Sequence, residues 1–312
     1  PPRSTLFPYT TLSDLIHQGS STKTIMRDVV IALTPTLIAS IIFFGIRAFI
    51  IVLLSVISCV LGELLWQKIF KQRVTIDDLS AVVTGILLAF TLPPSVPYYI
   101  PVIGGLFAII VVKQIFGGIG KNFLNPALAS RAFLIATWPA IMAKWTLDGV
   151  STATPLELLN GSSADIPSLW NVFIGHTAGS LGETSALALI IGGIYLLYKD
   201  VITWEIPLSY IVSVFLLSLV FNKTSTPLIF ALYEIFTGGL LLGAIYMATD
   251  YTTSPVTKKG KFIMGIGCGV LTCLLRNIGQ TPEGVCYSIL VMNLFVPMIE
   301  RHTVPRTYGE VR

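Results

Sequence analysis

Charge is scarce in this 312-residue chain. Only 12% of the residues are Asp, Glu, Lys or Arg, about half the share carried by soluble globular domains. A mean hydropathy of +0.80 excludes an ordinary water-soluble fold. Cysteine and histidine are also few. Cys59, Cys268, Cys273 and Cys286 form no CxxC and stand beside no His, so neither an iron–sulfur cluster nor a zinc site held by this chain alone is expected. His17, His176 and His302 fall near segment ends or in loops, which argues against an intramembrane haem pair. "FGGIGKN" at 116–122 is not a phosphate loop, because Ile115 stands where that loop needs Gly and Asn122 where it needs Ser or Thr. The net charge of +4 comes in short clusters between apolar runs. Without a basic face with interleaved aromatics, no nucleic-acid partner is expected.

What the chain has is apolar length. A spanning helix needs roughly 20 mostly apolar residues, and ten candidates lie near 28–46, 48–66, 80–92, 98–115, 124–143, 182–198, 201–221, 227–248, 262–279 and 284–299. The third is too short to span as a straight helix. It ends in "TLPPSVPYY", where Pro93, Pro94 and Pro97 remove backbone donors and force extended chain, so a broken or re-entrant segment is expected. No cleavable signal peptide is evident, since the first long run is too long for an h-region. The expectation is an all-α polytopic membrane protein of about ten transmembrane helices. Its parts are 1–21, without a usable pattern; 22–143, a first set of five helices; 144–181, a loop; 182–302, a second set of five; and 303–312, a tail.

Basic residues orient the bundle. With a cytoplasmic N-terminus, that side collects Arg3, Lys23, Arg27, Lys68, Lys71, Arg73, Lys113, Lys121, Lys199, Lys258, Lys259, Lys261, Arg301, Arg306 and Arg312. The other side receives Arg47, Lys144, Lys223 and Arg276, with Arg131 left inside a helix. Both termini are therefore expected inside and the 144–181 loop outside. "TGILLAFTLPPSVPYYIP" from Thr84 and "TGGLLLGAIYMATDYTTSP" from Thr237 share a Thr-Gly start, an apolar run and a Thr or Pro break. Five spans per half would make the second copy inverted, with broken third and eighth helices around a midplane site. Read alone, that symmetry would equally suit a cofactor-free permease.

Several polar groups stand out. "DGVSTATPLELL" at 148–159 puts Ser151, Thr152 and Thr154 on an outer loop, with Thr154-Pro155 and Glu157 close to a capping box. Asn122 and Asn125, three apart, share a helix face and could hydrogen-bond a ring edge; alternatively Asn122 caps the following helix. Arg131 inside hydrocarbon costs roughly 2.5–3.5 kcal/mol on insertion scales and must face a partner or cavity. Glu63, Glu234, Asp28 and Glu183 are further intramembrane or helix-start carboxylates. Asp250 ends the eighth segment among Thr249, Thr252 and Thr253, where an acid opposes the helix dipole and oxygen ligands would suit a ring or a hard cation. Tyr98, Tyr99, Trp138, Trp145, Trp170 and Trp204 lie near segment ends, as interfacial anchors do. Asn160-Gly161-Ser162 and Asn222-Lys223-Thr224 fit a glycosylation pattern common by chance and are assigned nothing.

"KQIFGGIGKNFLNPALASRAF", "DGVSTATPL", "GSLGETSALALIIGGIYLL", "MATDYTTSPVTKKG" and "TPEGVCYSILVMNLFVP", in this order, resemble the signature segments of the RnfD/NqrB family. These are large flavin-carrying membrane subunits of the Rnf and Na+-translocating NADH:quinone oxidoreductase complexes. The match runs from about 22 to 308, and the compact length, "TDYTTSPVT" and "PRTYG" resemble the Rnf subunit more than its quinone-reducing cousin. The resemblance implies FMN joined by a phosphodiester to Thr154, the last residue of a Ser/Thr-x-Ala-Thr motif, with Ser151 and Thr152 beside it. Thr152 departs from the family's usual Gly or Ser and offers a second hydroxyl. The resemblance further implies non-covalent riboflavin near Asn122 and Asn125; the hydroxyl-rich surroundings of Asp250 make it and Thr253 further candidate cofactor contacts on their own reading. It places the chain in a bacterial inner membrane, with the A, B, C, E and G subunits of the Rnf complex, membrane lipid, and a flavin transferase during maturation as partners. The implied activity is electron transfer between ferredoxin and NAD coupled to Na+ or H+ movement, with no catalytic residue or metal of the chain's own.

Overall fold

The computed structural model describes residues 21–147, 150–161, 166–221, 226–278 and 284–304. Of the expected terminal parts 1–21 and 303–312, residues 1–20 and 305–312 lie outside the described residues, as does the sequon at 222–224.

Each expected apolar run forms helix, though not each forms one long enough to span. Helix α1 (Thr22–Phe44) starts on Ser21, whose hydroxyl accepts from Thr24 N, and turns at Gly45 into α2 (Ile46–Ile69). These two and α14 (Gly284–Thr303) are long and apolar enough to cross a membrane. The remaining runs give α3 (Ser80–Phe90), α4 (Tyr99–Leu106) with a π-helical continuation to Gln114, α5 (Pro126–Thr137), α9 (Ala186–Tyr198), α10 (Glu205–Val220), α11 (Pro227–Phe236), α12 (Leu240–Leu242) with a π-helical continuation to Met247, and α13 (Lys258–Asn277). Between α5 and α9 lie three short helices, α6 (Pro139–Met142), α7 (Pro155–Gly161) and α8 (Leu169–Ile174).

The breaks have local causes. After α3 the proline stretch leaves carbonyls without helical partners, and Arg47 takes up three of them, donating to Pro94, Ser95 and Val96 at 2.9–3.1 Å. The eighth run bends by 59° between α11 and α12. There Gly238 and Gly239 adopt φ of +64° and +70°, left-handed backbone that a side chain resists. The fifth run is not the continuous helix expected over 124–143, because Pro139 stops α5 before Trp138 and starts the separate turn α6. The fold is also not wholly helical. Thr146–Leu147 and Val150–Ser151 pair antiparallel, with Thr146 opposite Ser151.

Packing identifies an integral membrane protein. Ile42, Ile46, Leu65, Leu216 and Val220 are all more than half exposed, an apolar belt that water would not tolerate. Polar groups are instead buried. Helix α10 closes on α13 where Ser209 and Ser213 fill the space beside Gly265 and Gly269, leaving no room for a methyl group at either glycine. Such close approach of small residues is how helices associate in lipid. Tyr210, Thr272 and Ser288 then tie α10, α13 and α14 together at 2.6–2.9 Å.

Two cations counted as side-determining charge near the ends of their runs are buried in helices. Lys113 pairs with Glu63 at 2.9 Å and Arg276 with Glu234 at 2.6 Å, all four 3% exposed or less. Hydropathy reads them as flanking charge because they lie near the ends of apolar runs. Their partners come from other helices.

Candidate functional site

Helix α5 carries polar groups at both ends. It begins on Asn125, whose side-chain oxygen accepts from Ala127 N (3.1 Å) and Leu128 N (3.3 Å), with Pro126 at the first helical position. Asn125, not Asn122, is the cap. Its amide also donates to Met247 O at 3.2 Å, fixing α5 to the π-helical turn of the eighth run. Asn122 reaches elsewhere, donating to Leu124 O (3.1 Å) and Thr252 Oγ1 (3.0 Å). Thr252 in turn donates to Asp250 Oδ2 at 2.9 Å.

These contacts surround a cavity of about 90 Å³. Asn122, Asn125, Thr249, Asp250, Thr252, Lys113 and Ser80 supply its polar wall, and Val29, Val83, Leu87, Ile202 and Tyr246 much of the apolar remainder. Lys113 and Tyr246 both stand on the π-helical segments, a geometry found often at functional sites. Enclosure pushes the Asp250 carboxyl above its ordinary range, and hydrogen bonds from Thr252 and Thr253 pull the other way. Thr253 is not in the wall. It is buried, donates to Asp250 Oδ2 at 3.3 Å, and through its carbonyl meets Asn293, which also accepts from Asn125 N in the amide orientation that suits both neighbours.

The opposite end of α5 lies about 18 Å away at 1.5 Å per residue and leads into the hydroxyl-rich loop. Thr154 lines a second cavity, of about 40 Å³, with Arg131, Trp145, Glu183, Thr184 and Thr237. Thr154 N donates to Glu157 Oε2 at 3.0 Å and Glu157 N to Thr154 Oγ1 at 3.3 Å, so the capping box expected at α7 is formed. Thr152 is exposed, stands outside the cavity wall, and its N–H donates to Trp145 O at 3.3 Å. The backbone of Ser151 is held in the two-stranded pair. Arg131 finds its partner in Glu183 at 2.8 Å, which Ser180 also bonds at 2.7 Å. Ala127 lines the first cavity, and Arg131, one turn further along α5, lines the second.

Sequence reasoning missed Ser80, Lys113 and Asn293 around the first cavity. Only for Asn293, a lone amide in an apolar helix, was there a signal. Among the described residues no cluster of three or more His, Cys, Asp or Glu is placed to hold a metal.

A helical bundle in the membrane, with one polar-walled cavity near the start of α5 and another lined by Thr154, defines a polytopic integral membrane protein. The family described as NQR2, RnfD, RnfE matches residues 10–309, and the chain belongs to it. It is 48% identical over 301 residues to the D subunit of the Na(+)-translocating ferredoxin:NAD(+) oxidoreductase complex of Acetobacterium woodii, covering 94% of this chain and 93% of the relative. It is 40% identical to the D subunit of the proton-translocating ferredoxin:NAD(+) oxidoreductase complex of Clostridium ljungdahlii, covering 95% of each. The D subunit of the ion-translocating oxidoreductase complex of Escherichia coli K12 is 32% identical, with 97% of each covered.

Proposed function

We propose that this chain is the membrane flavoprotein subunit of an Rnf-type complex that couples electron transfer between ferredoxin and NAD to Na+ or H+ movement. The observation that carries this reading is the agreement of two near full-length relatives, 48% and 40% identical, both named as the D subunit of a ferredoxin:NAD(+) oxidoreductase complex. One is named for Na+ and the other for protons, so the coupling ion does not follow from kinship.

FMN is carried on Thr154. Attack of its Oγ1 on the flavin-side phosphorus of FAD would form the phosphodiester and release AMP, with a separate transferase supplying base and metal. Supporting this, Thr154 is partly exposed at a cavity edge, and its capping bonds hold the hydroxyl in place. Riboflavin occupies the Asn122 cavity. The reading rests on apolar walls and one polar side where Asn122, Thr252 and Asp250 present amide, hydroxyl and carboxylate; the cavity, about 90 Å³, would have to widen to admit the ring. Asn122 bonds Leu124 and Thr252 through its NH2 group, leaving the carbonyl oxygen for a ring N–H. When bound, the flavins supply the redox chemistry; the chain's residues hold the rings, exclude water and space them.

The complex sits in a bacterial inner membrane with its A, B, C, E and G subunits, both termini of this chain cytoplasmic and Thr154 outside. Without the buried Lys113 and Arg276, the basic split is still fourteen against three. The ten runs read as two inverted sets of five, supported by breaks after α3 and within the eighth run. Reduced ferredoxin added to membrane vesicles should drive NAD reduction with ion uptake, and both should vanish when this subunit is deleted. NAD reduction persisting without it contradicts the reading.

A further inference from the structure

A hydrogen-bonded chain runs to the first cavity from its side. Asp78, partly exposed in the 3-10 turn before α3, accepts from Ser80 N at 2.8 Å and from Ser80 Oγ at 2.6 Å. The same hydroxyl accepts from Lys113 Nζ at 2.6 Å. Lys113 also donates to both Glu63 oxygens at 2.9–3.0 Å, and Gln114 donates to Glu63 Oε1 at 2.8 Å. Ser80 and Lys113, 7% and 3% exposed, line the cavity. Asp78 does not.

A buried ion pair is costly and seldom maintained for stability alone, and ionisable chains inside membrane proteins mark proton relays. Glu63, Gln114 and Gln67 already satisfy one another around the ammonium. Ser80 accepts the third ammonium N–H, and its bond onward to Asp78 joins the cavity wall to a group that is partly exposed.

We propose that Asp78 and Ser80, with Lys113 positioning the serine, form the proton path from solvent to the occupant of this cavity. The inference rests on the flavin reading of the cavity, in which the occupant takes up a proton when reduced. An electron arrives from a one-electron donor protein of the complex. For proton uptake the Asp78 carboxylate would first gain a proton from solvent, the Ser80 hydroxyl would turn from its bond to Asp78 and give its proton into the cavity, and Asp78 would return one proton to Ser80 Oγ. One electron and one proton are consumed, and no residue changes oxidation state. Lys113 steadies the serine oxygen while it is short of its proton.

The test is stopped-flow reduction of the assembled complex by dithionite with a pH-sensitive dye, alongside extraction of bound flavins. Asp78→Asn keeps an acceptor for Ser80 N but has no acidic proton. It should slow one phase of proton uptake tenfold or more while riboflavin content stays unchanged. Ser80→Ala should do the same, and Ser80→Thr should restore the rate. Unchanged phases in both Asp78→Asn and Ser80→Ala overturn the path. A complex that lacks riboflavin yet responds to Asp78→Asn overturns the flavin reading and leaves the path standing with another occupant.

Discussion

Arg131 and Glu183 meet at 2.8 Å across 52 positions of sequence, joining the middle of α5 to the turn before α9 at the floor of the Thr154 cavity. Gly239, at φ +70°, lies directly against the Glu183 carboxylate. Gly238, at φ +64°, lies against the Arg276 guanidinium, which donates to Thr237 O and Gly238 O at 3.2 and 3.0 Å. The bend in the eighth run is thus held between two ion pairs.

Breaking the first pair should be expensive. Arg131→Met leaves a carboxylate with 12% exposure without this cation, and loss of one partner of a buried pair costs about 3–5 kcal/mol. The melting temperature of the detergent-solubilised complex should fall markedly for Arg131→Met or Glu183→Gln. It should fall less for Arg131→Met/Glu183→Leu, in which no buried charge of the pair remains.

Gly239→Ala should destabilise by more than the roughly 1 kcal/mol of a left-handed alanine, because its methyl group would also displace Glu183. Thermal unfolding of the variant checks this. Ala at Gly45, whose φ of 70° and ψ of −164° are also glycine-favouring but whose surroundings are open, should cost backbone strain alone, with no displaced neighbour.

Asn122→Ala removes the donor to Thr252 and the amide facing the cavity. At about 1–3 kcal/mol for a lost buried hydrogen bond, riboflavin retained through purification should drop by roughly an order of magnitude or more. Thr253→Val, at a residue behind the wall, should lower retention less than Thr252→Val. Extraction and chromatography of the released flavin measure both.

The helical runs were legible because hydropathy is a property of consecutive residues, and the proline break after α3 because proline acts on its own neighbours. The grouping of Asn122 with Asn125 was legible from spacing, but which one caps α5 was not, since both precede Pro126 closely. Lys113 and Arg276 were misread as flanking charge, and Arg131 had no readable partner, because Glu63, Glu234 and Glu183 reach them only through the fold. The π-helical turns that carry Lys113 and Tyr246 leave no pattern in a 3.6-residue reading. Thr249, Thr252 and Thr253 were legible as neighbours of Asp250, but not that Thr252 lines the cavity while Thr253 bonds Asp250 from behind its wall.

The most direct measurement is mass spectrometry of the purified subunit, intact and after proteolysis, from cells with active complex. One FMN phosphoester is expected, on the peptide containing Thr154 and at that residue, with loss of the flavin-fluorescent band in SDS gels for Thr154→Val and its survival in Thr152→Val. Recovery of an unmodified Thr154 peptide from fully active complex would contradict covalent attachment there.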